Sequence, residues 1–407
     1  VVIVLMAVPV ILLGTASPFA IRLAVRDSRT IGSVSGRIYA ISTLGSFVGT
    51  FLPPLILIPL AGTSLTFLII SAALLLTAIV GLMLTNFSVR SLPILLTPIF
   101  LLAAGFWLYN LPSRTTDGMI FETESAYNYI QVLEFNGYHL LRLNEGQGIH
   151  SIHHPTILRY TGPWDQVLAA PFFNPAPVDP AGIQSMAIIG LAAGTTARQA
   201  SFAYPGIQID GFEIDPKIVQ VGNQYFDMDE IPGLTVFVQD GRWGLEHSPN
   251  RYQVISIDAY RPPYIPWHMT TVEFFQSVHD HLTPDGVMVI NVGRAPQDRR
   301  LINTLSSTIL QVFPSVHVMD LPNSFNSLVY ATVQPTATQN LTDNLHFLLP
   351  RSDIHPLLAE TAQFTLINLM PAPPLDLIFT DDRAPIEWIT NNLVLHFILS
   401  GQTEELQ

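Results

Sequence analysis

The chain has 407 residues, 49% of them hydrophobic and 12% charged, with 18 basic against 31 acidic side chains for a formal −13. It contains no cysteine, which excludes disulfides, thiolate catalysis and cysteine-ligated metals. The charge is unevenly spread: the first 114 residues hold Arg22, Arg26, Arg29, Arg37, Arg90 and Arg114 against Asp27 alone, so the 293 that follow carry 12 basic and 30 acidic groups, a formal −18 that repels nucleic acid and anionic headgroups.

Residues 1–114 are expected to form a multi-pass anchor in the cell (inner) membrane, with the lipid bilayer as partner. Ile38 to Val89 is a run of 52 residues without a charge, and a spanning helix needs about 20. Four apolar segments can be drawn, at about 1–21, 38–60, 64–85 and 91–110. The first has the wrong length and flanks for a cleaved signal peptide. Because Val1 lies inside an apolar run, a preceding segment is expected. The arginine-bearing loop between the first two segments belongs on the cytoplasmic side. Four true spans then put the acidic part outside the cytoplasm; a re-entrant fourth segment, which Pro93 and Pro98 allow, reverses that, so sidedness stays open. In segment two, Ser42, Gly45, Ser46 and Gly49 make a small-residue face at helical spacing, expected to pack within the chain in preference to a homodimer or a membrane-complex partner. Pro53, Pro54 and Pro59 are expected to bend the end of that helix. No Asp, Glu, Lys, Arg or His lies in segments two to four, so the anchor offers no ion pathway.

The soluble part opens with a β-hairpin signal: Asn128–Phe135, then Asn136-Gly137, then Tyr138–Leu143, two apolar strands around a turn that needs positive φ. Residues 115–180 are assigned to this small N-terminal subdomain and 181–407 to the main domain. There, strands are expected at Met186–Ile189, Ile207–Ile214, Leu234–Val238, Tyr252–Asp258, Val287–Val292, Val316–Met319 and Ser327–Thr332. Helical stretches separate the first five, which is the pattern of an α/β, doubly wound, mostly parallel sheet with its ligand at the carboxyl ends of the strands. Three features fall at those ends. Gly190-Leu-Ala-Ala-Gly194 follows the first strand and opens a helix, as a nucleotide-binding turn does. Glu213 ends the second strand, 23 residues after Gly190, near the spacing of an acid that binds ribose hydroxyls. Asp240-Gly241 ends the third, placed to accept from an adenine amino group.

From Glu124 to Val292 the chain resembles the spermidine synthase (polyamine aminopropyltransferase) family, above all its bacterial branch fused to multi-pass membrane segments. The resemblance rests on the hairpin, Gln147 in Asn144-Glu-Gly-Gln-Gly148, the Gly190–Gly194 loop, Phe212-Glu213-Ile214-Asp215-Pro216 and Gln239-Asp240-Gly241-Arg242. It continues through Asp258-Ala-Tyr-Arg-Pro-Pro-Tyr-Ile-Pro-Trp-His268, Thr270-Thr-Val-Glu-Phe-Phe275, Pro284-Asp-Gly-Val287 and a late Thr380-Asp-Asp-Arg-Ala-Pro-Ile-Glu387. In the membrane part, Gly36-Arg-Ile-Tyr-Ala40 and Ile58-Pro-Leu-Ala-Gly62 also fit the fused branch. The resemblance implies a Rossmann-like, S-adenosylmethionine-methyltransferase-like fold. It also implies decarboxylated S-adenosylmethionine or S-adenosylmethionine as nucleoside substrate, with a polyamine as acceptor. Carried over by position, Glu213 holds the ribose, Asp240 the adenine, Gln147 lines the nucleoside site and Asp258 faces the aminopropyl group. The chemistry is attack by a neutral amine nitrogen on the carbon next to a sulfonium, which needs a carboxylate to take the proton.

Two positions depart from the family. Its glycine loop usually carries an aspartate where this chain has Ala193, and its post-strand loop carries a second aspartate where this chain has Arg261. A guanidinium neither accepts a proton near neutral pH nor welcomes an ammonium. Asp258, Tyr260 and His268 remain as candidate catalytic groups. His150, His153 and His154 have the i, i+3, i+4 spacing of a helical metal site, but they follow a strand and precede Pro155, and no metal is expected. Three readings follow: an anchored aminopropyltransferase, another S-adenosylmethionine-dependent transferase with a different acceptor, and a catalytically silent scaffold subunit of a membrane complex.

Overall fold

Helices and strands are described for residues 2–25, 27–84, 92–109, 116–144, 148–260, 264–295 and 298–399 of the computed structural model. The chain divides into two compact units, Val1–Arg114 with Glu124–Ala126, and Thr115–Thr123 with Tyr127–Gln407.

Among its described residues the first unit is built from helices α1 (Val2–Ala24), α2 (Ile31–Leu52), α3 (Ile58–Leu84) and α4 (Leu92–Tyr109). One difference from the expected segments has a physical cause. Arg22 closes α1 and Arg37 lies inside α2, so the connecting loop is shorter than the charge pattern implies. A helix is propagated by backbone hydrogen bonds and does not stop where apolar side chains stop. Its start here is set by a 3-10 turn, Ser28–Thr30, in which the Asp27 carboxylate accepts from the Arg29 N–H at 3.1 Å. Pro53 and Pro54, expected to bend the end of α2, lie where the helix changes type, and the break falls between the expected segments two and three. Pro53–Leu57 forms a π turn leading into α3, and the break comes at Gly62, with φ 77° and ψ 173°. Among the described residues, two helical stretches, Met6–Ala24 and Ser28–Gly81, are long and apolar enough to cross a membrane. On the small-residue face, Ser17 Oγ of α1 donates to Ser42 Oγ at 3.3 Å, whereas nothing lies within 4 Å of the Cβ direction at Gly45 or Gly49.

The second unit holds two sheets. The expected hairpin is the centre of a four-stranded sheet in the order β1 (Met119–Glu124), β2 (Tyr129–Phe135), β3 (Tyr138–Leu143) and β4 (Ile149–His153). Its turn is formed by Asn136 (φ 50°) and Gly137 (φ 82°), closed by the pair Phe135↔Tyr138. Strand β4 takes in His150 and His153, so these histidines share no helical face. Ile130, Val132, Leu141 and Leu143 of this sheet bury against Ala193, Ile218, Val221 and Phe226.

The large sheet runs β12-β10-β11-β9-β8-β5-β6-β7. Its strands are β5 (Ser185–Ile189), β6 (Gln208–Glu213), β7 (Leu234–Val238), β8 (Tyr252–Ile257), β9 (Leu282–Gly293), β10 (Ser315–Asp320), β11 (Asn326–Thr332) and β12 (Leu369–Met370). The five from β7 to β9 are parallel, and β11, β10 and β12 add antiparallel pairings. Alternate residues feed two cores. Met186 and Ile188 join Phe172, Leu341 and Leu358 on one face; Ala187 and Ile189 join Phe275, Leu305 and Ile389 on the other. Helices α5 (Pro163–Gln166), α6 (Thr195–Ala203), α7 (Pro216–Tyr225), α8 (Gly241–Glu246), α9 (Val272–Asp280), α10 (Arg300–Ile309), α11 (Thr338–Leu348), α12 (Pro356–Ile367) and α13 (Ile386–Leu399) complete the unit. Strand β9 starts five residues before the expected Val287, because Pro284–Gly286 is a bulge between the pairs Tyr252↔Leu282 and Val254↔Val287 and not a terminating turn.

One buried amide stitches this unit across its length. Asn344 is fully buried on α11; its Nδ2 donates to the carbonyls of Phe172 (2.9 Å) and Asn174 (2.8 Å), and its Oδ1 accepts from Val178 N–H (2.8 Å). Asn344→Leu keeps the volume and strands those three backbone groups, so it is expected to destabilise the second unit by about 2–4 kcal/mol. Denaturant unfolding checks this, and an unchanged midpoint refutes it.

Candidate functional site

The strand order reverses between β5 and β8, and the loops leaving their carboxyl ends meet there. Gly190 has φ 85°, and a Cβ at this position would lie 2.4 Å from the Asp258 carbonyl oxygen, so the two loops touch only because no side chain intervenes. Gly194, φ 86°, occupies the N-cap of α6. Gly241 is required for a different reason: its Cβ would lie 2.4 Å from Ile189 Cγ2, so it lets α8 pack directly on β5.

Glu213 ends β6 and is only 7% exposed. Its carboxylate accepts from Ala192 N–H (2.9 Å) and Asp215 N–H (3.0 Å), which fixes the glycine loop to the strand beside it. Burial outweighs these bonds and pushes its pKa up to about 7. Asp240 caps α8, with Oδ1 accepting from Trp243 N–H at 2.9 Å, while Oδ2 meets His268 Nε2 at 3.1 Å. The His268 hydrogen bond holds its carboxyl below the usual range.

Asp258 follows β8. Burial pushes its carboxyl up to about 6, against an opposing hydrogen bond from Asn291 Nδ2 at 3.0 Å. Tyr260 is tied to β9: its hydroxyl donates to Asn291 O (3.1 Å) and accepts from Gly293 N–H (2.5 Å), and burial holds the phenol well above its usual range. Of the three candidate catalytic groups, Asp258 and Tyr260 therefore share one environment through Asn291, and His268 sits on Asp240. Gln147 and Arg261 lie outside the described residues. Ala193 is 3% exposed, within the apolar cluster under the small sheet, and its N–H donates to Ser151 Oγ at 2.9 Å.

Asn291 escaped the sequence reading. It is 7% exposed, and its Oδ1 has no partner among the described residues. The signal was available: it is the one polar side chain in the apolar run Val287–Val292 of a strand buried on both faces. Among the described residues no group of three or more His, Asp or Glu is placed to hold a metal. His153 pairs with Asp227 at 3.8 Å, and burial lowers the pKa of His150 and of His153 to about 4.

Glu213 has a stability consequence. Its folded pKa of about 7 lies above its ordinary 4.5, so the folded state binds more protons in that window and stability falls as pH rises through it. The loss is on the order of 3 kcal/mol by pH 7.5. Unfolding midpoints should therefore decline between pH 6 and 7.5, and Glu213→Gln should flatten that decline; identical slopes in the two proteins exclude the assignment.

Residues 179–342 match the spermine/spermidine synthase domain. Over 301 residues the chain is 33% identical to a probable polyamine aminopropyl transferase of Bifidobacterium longum, covering 70% of this chain and spanning 63% of that protein's length. It is 27% identical over 219 residues to a polyamine aminopropyltransferase of Vibrio vulnificus, covering 52% of this chain and 70% of that one. Among solved structures, a probable spermidine synthase from Corynebacterium glutamicum aligns with a TM-score of 0.48 at 19% identity, over 66% of this chain and 99% of that one.

Proposed function

We propose, from the premise that the chain belongs to the spermine/spermidine synthase family, that its second unit transfers an aminopropyl group from decarboxylated S-adenosylmethionine to a polyamine-type amine. The observation that carries this reading is the set of carboxylates, Glu213, Asp240 and Asp258, at or just after the ends of the parallel strands β6, β7 and β8, which flank β5 and its glycine loop that opens a helix. Glu213 takes the ribose hydroxyls and Asp240 the adenine amino group, with Gln147 lining the nucleoside. Asp258 and the Oδ1 of Asn291, which has no partner among the described residues, offer two acceptors to an ammonium. In the reaction the amine lone pair forms a C–N bond at the carbon next to the sulfonium and the C–S pair returns to sulfur, which requires the entering ammonium to have given up a proton. Asp258, poised near pH 6, is the carboxylate that takes it. Tyr260 holds the loop after β8 against β9 and so fixes the direction of Asp258.

Ala193 and Arg261 favour a second reading, transfer of a methyl group from intact S-adenosylmethionine to a different acceptor. The mass gained by the acceptor separates the two.

Two tests apply. Calorimetric titration with methylthioadenosine, the nucleoside product of aminopropyl transfer, should show binding that tightens as pH rises from 6 to 8, because added hydroxyl donors favour the ionised form of Glu213. Glu213→Ala and Asp240→Ala should each weaken it at least about 100-fold, losing charge-assisted hydrogen bonds; an absence of heat with the unmodified chain sinks the nucleoside reading and leaves a silent scaffold. With an amine acceptor supplied, Asp258→Asn should reduce transfer about 100-fold or more, and an unchanged rate removes Asp258 from the chemistry.

The first unit acts as a multi-pass membrane anchor. The support is its apolar surface: Leu12, Leu23, Ile41 and Leu55 are 64%, 78%, 71% and 68% exposed on helices with no aqueous reason to be so. The chain should remain with the membrane after alkaline carbonate extraction; its appearance in the supernatant counts against an anchor.

A further inference from the structure

The late Thr380–Glu387 motif has no part in the chemistry above, yet the fold brings it to the nucleoside end of the site. Residues 376–383 run as a strap held by backbone donors. Asp376 N–H donates to Ser307 Oγ (2.7 Å) and Phe379 N–H to Thr308 Oγ1 (3.1 Å), both on α10, and Val272 N–H of α9 donates to Phe379 O (2.9 Å). Thr380 and Arg383 bond each other's backbones and present Asp381 between them. Its carboxylate receives both arms of Arg242, Nη1 to Oδ1 at 2.8 Å and Nη2 to Oδ2 at 2.7 Å, and the hydroxyl of Thr271 at 2.6 Å. Asp381 N–H donates in turn to Glu273 Oε2 at 2.9 Å.

Arg242 is two residues after Asp240, and its Nη1 also donates to the carbonyl of His268 at 2.9 Å. One guanidinium therefore joins the helix that Asp240 caps to the segment that carries His268, the residue on Asp240 Oδ2. That guanidinium is only 17% exposed and also meets Glu246 at 3.0 Å on its Nε, so its forked face depends on Asp381 for a counter-charge.

We propose that Asp381 is a positioning residue for the nucleoside site: through Arg242 it fixes the His268 segment against Asp240, so the strap must be seated before the adenine end of the site is formed. The inference rests on the assignment of Asp240 to the nucleoside, and its test has one arm that needs no nucleoside. In the full chain, amide hydrogen exchange over residues 266–271 and affinity for methylthioadenosine are measured for the unmodified protein, Asp381→Asn and Asp381→Glu. Asp381→Asn keeps the shape and loses the charge; it should accelerate exchange over 266–271 and weaken binding, each by about tenfold, while amides of β5 and β8 stay protected. Asp381→Glu, which restores the carboxylate, should return both to within about threefold. Unchanged exchange and affinity in Asp381→Asn overturn the proposal, as does an equal loss in Asn and Glu, since charge would then be irrelevant. If β5 and β8 lose protection in Asp381→Asn, Arg242→Lys is read in the same two assays; it keeps a charge but not the fork, and wild-type behaviour there overturns the proposal. If the unmodified chain fails to bind methylthioadenosine, the nucleoside assignment falls, and the exchange arm alone decides whether Asp381 fixes the His268 segment.

Discussion

Everything at the candidate site depends on a contact that admits no side chain, the approach of the Gly190 backbone to the carbonyl of Asp258. It brings the loops after β5 and β8 together at the reversal of the sheet, and this closes the gap in which a ligand of a doubly wound sheet sits. From that contact the rest follows in order. The glycine loop can then hand the Ala192 N–H to Glu213, and Asp258 can reach Asn291 on the next strand. The arrangement puts carboxyl groups where water is scarce, and that burial raises the pKa values of Glu213 and Asp258. Two large apolar faces of the sheet hold these strained termini in place, which is why groups this unfavourable to bury can persist.

What could be read from the sequence was what local rules determine. The Asn136-Gly137 turn, the parallel strands and the glycine loop all follow from backbone preferences within a few residues, and the strand ends then located Glu213 and Asp240, while Asp258 came from the family resemblance. Features set by distant partners stayed hidden. Strand β4 has no clean alternation of apolar residues; it exists because β3 pairs with it and because Thr195 and the Ala193 N–H bind its backbone and Ser151. His268 is only a candidate catalytic group in sequence, and the turn that precedes α9 places it on Asp240. Arg242 and Asp381 are 139 residues apart, and no periodicity connects them. Asn291 was visible in principle as a polar break in an apolar strand, but its partner Asp258 was not.

The replaced acids have a structural logic of their own. Ala193 packs in the apolar cluster formed by the small sheet and α7, with its N–H given to Ser151, so a carboxylate there would be desolvated among Ile130, Val132 and Val221. The small sheet and the glycine loop fit each other because position 193 is small. A small residue at position 193 and the close docking of the sheet therefore go together.

On the proposed function, the proton problem is concentrated on one group. An alkyl amine of pKa near 10.4 is neutral only rarely at pH 7, and freeing its lone pair costs about 5 kcal/mol. The surrounding acidic surface, a formal −18 across the last 293 residues, gathers polycations but stabilises their charged form, which moves the amine in the wrong direction. Deprotonation has to occur after entry, where desolvation lowers the amine's pKa and the acceptor carboxyl has already been raised to about 6. The two shifts converge on each other only inside the site. A single carboxyl brought toward neutrality by burial narrows the gap between acid and base inside the site. On the proposed function, Asp258 then accepts alone the proton that the family resemblance assigns to a pair of acids.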